Sequence, residues 1–196
     1  LTNLEEYQNG ADPNNIDSDN DGVYDNIEVL FGEDPATFNN YASIPFTELF
    51  ETNTVVLGSI NGQNNWAASP SQYALVQDQT VYEGDQALAV DTEFNGSAIT
   101  YHLFKAPASN TVSIDMYVQA RSRVAPVGTV SEAALLFFNS AGYLVAYDGH
   151  QSPGSKWVTL TNRAPVTLGA WVRLTVFLDY TAQEWLVCVN GVMAGA

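Results

Sequence analysis

Residues 17–28, Asp17-Ser18-Asp19-Asn20-Asp21-Gly22-Val23-Tyr24-Asp25-Asn26-Ile27-Glu28, match the twelve-residue calcium-loop pattern D-x-[DN]-x-[DN]-G-x5-E at every constrained position. Carboxylates at positions one, three and five converge on one side of a tight turn. Gly22 at position six gives the backbone freedom that turn needs, and Val23 offers its carbonyl oxygen. Asp25 at position nine can bind directly or through water, and Glu28 at position twelve can close the shell with both oxygens. The plainer alternative is a solvated acidic turn. Five carboxylates within twelve residues, with no Lys or Arg nearby, favour a bound cation.

The elements around the loop follow from a repeat. Leu1 to Pro13 aligns with Val23 to Pro35, so that Glu6 meets Glu28, Gly10 meets Gly32 and Asp12-Pro13 meets Asp34-Pro35. Each copy reads as a short helix with a capping box, Thr2 with Glu5 and Asp25 with Glu28, and a glycine stop. In this register Glu6 stands at position twelve of an earlier loop, and the chain is expected to begin inside a repeat.

The run LTNLEEYQNGADPNNIDSDNDGVYDNIEVLFGEDP, residues 1–35, resembles the bacterial thrombospondin type 3 repeats. That resemblance implies Ca2+ wrapped by Asp17, Asp19, Asp21, the Val23 carbonyl, Asp25 and Glu28, with Asp12 added, in a stiffened linker between extracellular domains. Two positions depart from the family's pattern. Asn20 stands where Gly is common, although Asn tolerates the left-handed conformation, and Tyr24 replaces the usual aliphatic residue.

Residues 36–45 read as a connector ending in Pro45. From Phe46 the pattern changes to short strands, expected at 46–50, 54–57, 73–77, 87–91, 97–104, 111–119, 132–139, 142–147, 156–161, 171–180 and 184–189. The turn signals Asn61-Gly62, Asn95-Gly96, Ala141-Gly142, Pro153-Gly154 and Asn190-Gly191 separate them. Trp171 to Tyr180 alternates, with Val172, Leu174, Val176 and Leu178 on one face and Arg173, Thr175 and Asp179 on the other. Many strands without helical crossovers predict a mostly β fold, an antiparallel two-sheet sandwich.

Residues 46–196 resemble the concanavalin A-like, laminin-G-like jelly rolls of secreted bacterial proteins. The stretches carrying the likeness are Ser59 to Trp66, Gly84 to Val90, Trp171 to Leu174 and Trp185 to Gly191. Such domains continue past that point through further strands, whereas only Val192 to Ala196 remains here, so either the fold is shortened or its missing edge is expected from another chain or from further sequence. The whole is then a calcium-binding helix-loop module over 1–35, a connector, and a jelly roll over 46–196.

Composition narrows the function. The 196 residues carry a net charge of −16, which repels phosphate backbones and anionic membrane surfaces. Residues 1–34 hold ten acids and no base, and the first basic residue is Lys105. Hydrophobic content of 46% is ample for a core, and no transmembrane stretch or signal-peptide pattern is present. Cys188 is alone, so no internal disulfide forms; its apolar neighbours suggest a small buried side chain. An acid-rich, Lys-poor chain with a calcium loop fits the outside of a cell, where free calcium is abundant.

Catalytic patterns are sparse. Glycoside hydrolysis needs two carboxylates about 5–5.5 Å or 6.5–9.5 Å apart. Glu83-Gly84-Asp85 and Asp91-Thr92-Glu93 come nearest, neither with a third acid in register. His102 lies mid-strand and reads as structural, and His150 sits in an Asp148 to Ser152 loop without a nucleophile elbow. Trp66, after Gln63-Asn64-Asn65, either stacks on a glycan or plugs the sandwich edge. The expected function is a non-catalytic extracellular structural or adhesive module within a surface protein or filament. Its partners are adjacent domains or neighbouring copies joined by strand addition. The alternative is a carbohydrate-binding module of a polysaccharide-degrading protein.

Overall fold

The computed structural model describes residues 1–91, 98–122, 135–148 and 156–195. The described chain is mostly β, in several antiparallel sheets. It divides into two compact units, Leu1–Ala108 and Ser109–Ala196. The expected boundary at residues 36–45 therefore does not separate the units.

Unit one opens with α1 (Asn3–Gln8) and α2 (Asp25–Phe31). Thr2 caps α1 through the predicted box, its side chain accepting from Glu5 N while Glu5 binds the Thr2 backbone. The matching box on α2 does not form. Tyr24 is the N-cap without a side-chain bond, and Asp25 and Glu28 are both buried, turned to other partners. Both helices end as the repeat predicts: Ala11 N donates to Glu6 O and Glu33 N to Glu28 O, and Gly10 and Gly32 adopt positive φ.

Strands β1 (Gly58–Ser59), β2 (Trp66–Ser69), β3 (Ala74–Gln77), β4 (Ala87–Val90) and β5 (Ile99–His102) form two small sheets, ordered β1-β3-β4 and β2-β5. Ile60, Ala74 and Val76 centre one core, against which Phe50, Trp66 and Leu88 pack. The expected strands at 46–50 and 54–57 are absent. Glu48 accepts from Phe50 N and Thr54 Oγ1, and Thr54 N and Val55 N both donate to Glu51 O. That closes the segment into a loop, with Phe50 at φ 58°. β2 was not among the expected strands.

Unit two contains β6 (Thr111–Gln119), β7 (Leu136–Phe138), β8 (Leu144–Asp148), β9 (Lys156–Thr159), β10 (Trp171–Asp179), β11 (Glu184–Val189) and β12 (Val192–Gly195). Its sheets are ordered β12-β11-β10-β6 and β7-β8-β9. β6 and β10 pair over nine residues, from Trp171 opposite Gln119 to Asp179 opposite Thr111. The alternation of β10 holds: Val172, Leu174 and Val176 are buried, while Arg173 and Phe177 are exposed. Phe138 and Leu144 from the smaller sheet join Val172, Val176, Val187 and Ala194 in one core.

The Asn190-Gly191 turn has both residues at positive φ, 51° and 75°, as a tight hairpin requires. It returns the chain as β12, the edge strand of the four-stranded sheet and one that was not expected. Cys188 lies half-buried on β11, on the face opposite buried Val187 and Val189 rather than within the core. The expected turns at Asn95-Gly96 and Pro153-Gly154, together with Glu93 and His150, lie outside the described residues.

Candidate metal centre

Asp17, Asp19 and Asp21 each present a carboxylate oxygen, and the three atoms lie within 4.8 Å of one another. The turn that gathers them is built from their own backbone. Asp21 N donates to Asp17 Oδ1 at 3.2 Å and to Asp19 Oδ1 at 3.1 Å, and Gly22 N donates to Asp17 Oδ2 at 3.0 Å. Val23 N reaches Asp21 Oδ1 at 2.9 Å. Asn20 at φ 61° and Gly22 at φ 97° make the reversal. A Cβ on Gly22 would also meet the Lys105 stem at 3.1 Å, so a larger residue at position six would press on that stem as well as strain φ.

Glu28 is fully buried beside these acids. Its Oε1 accepts from the Tyr41 hydroxyl at 3.4 Å, while its Oε2 and Asp19 Oδ2 are buried without a hydrogen-bond partner. Burial pushes the Glu28 carboxyl up to about 7, with the Asp21 and Asp19 charges adding to the shift. Burial first, then the Asp21 and Asp17 charges, also raises the Asp19 carboxyl. Burial and the Glu28 charge raise the Tyr41 hydroxyl.

The other expected ligands are placed differently. Asp25 accepts from Ser18 N through Oδ1 at 2.7 Å and from Ser18 Oγ through Oδ2 at 2.8 Å. Ser18 Oγ in turn accepts from Asp12 N, and Asp12 Oδ1 accepts from Asn14. Asp25 and Asp12 thus clasp the ends of the loop. Val23 is buried, its side chain in a small core with Tyr41 and Leu103.

Sequence reasoning missed Asn39 and Tyr41. Asn39 N donates to Asp21 Oδ2 at 3.0 Å, and its side chain bonds the Tyr41 hydroxyl. The repeat carried one period further puts Asn39 in register with Asp17 and Tyr41 with Asp19, a signal that points at both. The segment expected as a connector is therefore part of the site's wall.

The donor set fits a hard divalent cation. It is all oxygen, clustered and carboxylate-rich, with orphaned oxygens.

Trp66 packs against Phe50 and His102, with ring centroids 5.4 and 5.3 Å away. Both His102 nitrogens face carbonyls, Leu103 O at 2.9 Å and Asn64 O at 3.0 Å. Glu83 lies in a bend, and Asp85 N donates to both Glu51 oxygens. A cleft of about 840 Å³ in unit two, which the sequence did not reveal, is lined chiefly by apolar groups, among them Val112, Val158, Leu178 and Trp185. No helix among the described residues is long and apolar enough to cross a membrane.

Comparison with known proteins finds no matching family model, no matching curated protein and no matching solved structure.

Proposed function

We propose that the chain is a calcium-binding, non-catalytic module of an extracellular structural or adhesive protein. Asp17, Asp19, Asp21 and Glu28 hold the ion with the Val23 carbonyl, in the manner of the thrombospondin type 3 repeats that residues 1–35 resemble. The jelly-roll reading of the β-rich remainder belongs to the same proposal.

One observation carries it: Glu28 is fully buried, has an unpartnered oxygen and sits beside three gathered aspartates. A carboxylate isolated in this way is strongly disfavoured unless it is neutralised or paired. A bound divalent cation supplies that pairing.

Calorimetry on the whole chain tests the reading. Calcium uptake is expected with a dissociation constant of about 10⁻⁴ to 10⁻³ M, the range of extracellular modules. The Asp19→Ala, Asp21→Ala double variant should abolish it. Absence of heat from the wild-type protein at millimolar calcium would overturn the proposal.

A further inference from the structure

Resting on that calcium reading, we infer that the ion in the 17–28 loop governs the folding of β5 and of the β2–β5 sheet. The loop is then a conformational switch for unit one rather than a local clasp.

The connection runs through named contacts. Gly22 O, at the bend of the loop, accepts from Ala106 N at 2.6 Å, and the Lys105 stem lies against Gly22. Lys105 N donates to Ala42 O, and Ala42 forms a parallel bridge with Phe104. Tyr41, two residues from Asn39 on the same wall, holds Glu28 and shares a core with Val23 and Leu103. At the far end of α2, the Tyr101 hydroxyl donates to Phe31 O at 2.8 Å, and the two rings lie 4.5 Å apart. Residues 101–106 are therefore tied at one end to the loop's bend and at the other to the helix that carries Glu28.

The other supports of β5 are local to its own sheet and the adjoining loop: His102 packs against Trp66 and Phe46 and faces Asn64 O, and the Thr100 hydroxyl donates to Ala67 O. That sheet has two strands and four residue pairs, Trp66 opposite His102 to Ser69 opposite Ile99. A two-stranded ribbon of that size is marginal alone. The loop has every reason to open when empty, because it gathers like charges and buries Glu28 among them. Opening moves Gly22, and the chain bonded to it then loses its anchor.

Hydrogen exchange on the whole chain, with calcium and after chelation, tests this. Chelation should speed exchange more than about tenfold at residues 66–69 and 99–106 as well as in the loop. The amides of β10 and β11 serve as an internal reference. Ala106→Pro, which removes the donor to Gly22 without touching an acid, should leave calcium uptake intact while residues 99–104 lose part of their calcium response, the Tyr101 tie to Phe31 carrying the remainder. If calorimetry shows uptake but exchange changes only within residues 12–35, the switch is overturned and the calcium reading stands. If no calcium is taken up, both fall together.

Discussion

Glu28 meets opposite demands in the two states of its loop. Without a cation it is a buried carboxyl pushed up to about 7 from an ordinary 4.5. A carboxyl raised in this way stabilises the fold below its unfolded pKa, and that contribution is lost as pH rises through about 7. With a cation the same carboxyl must ionise, so binding releases a proton near neutrality and tightens with rising pH. Glu28→Gln separates the two demands. In calcium-free buffer at pH 8 the variant should melt above the wild type and lose this part of the pH dependence, while its calcium affinity falls more than about tenfold. Thermal melts at pH 5 and 8, with calorimetry in two buffers of different ionisation heat, check each part. A variant that binds calcium like the wild type would remove Glu28 from the site. The template showed which residues gather at this scale, because ligand spacing in a tight turn is a local property. It could not show that Asp25 spends both oxygens on Ser18, or that Tyr41 reaches Glu28 from thirteen residues away, because those are tertiary choices.

Strand β10 shows the same division at the scale of elements. Leu174 is buried and its neighbour Arg173 is exposed, so the period-two pattern sets which substitutions matter. Leu174→Ala should cost about 2–5 kcal/mol for the lost burial and the cavity left behind. Arg173 pairs with Asp115 at 2.6 Å, but both side chains are about half exposed, so Arg173→Ala should cost less than about 1 kcal/mol. Urea unfolding of the two variants distinguishes them, and equal losses would mean that the register is wrong. β10 was legible because nine alternating residues carry their own pattern, and the Asn190-Gly191 hairpin because its turn chemistry is local. The loop over residues 46–57 was not. Phe46, Leu49, Phe50, Val55 and Val56 look strand-like, but Glu48 gathers the Phe50 amide, the Thr54 hydroxyl and the Asn64 side chain. A polar hub of that kind overrides β propensity and leaves no periodic trace. β12 was missed for the opposite reason: four small and apolar residues are too few to show alternation, and only pairing with β11 makes them a strand.

Charge divides the molecule more sharply than fold does. Residues 1–108 carry seventeen of the twenty-two acids against a single lysine, whereas residues 109–196 hold five acids and five Lys or Arg. The entire net charge of −16 therefore belongs to unit one, and unit two is neutral. Self-repulsion of that size opposes the compact state, and it also draws divalent cations toward the loop. Salt should act on both effects in unit one and on neither in unit two. Raising NaCl from about 10 mM to about 150 mM shortens the screening length from about 30 Å to about 8 Å. In calcium-free protein this should slow exchange at β1 and β3, far along the chain from the loop, and leave β10 and β11 unchanged. In the same experiment calcium affinity should weaken, because the field that strains unit one is the field that attracts the ion. Equal salt responses in the two units would mean that the acids are already neutralised within the fold, and the cation would then have nothing left to balance.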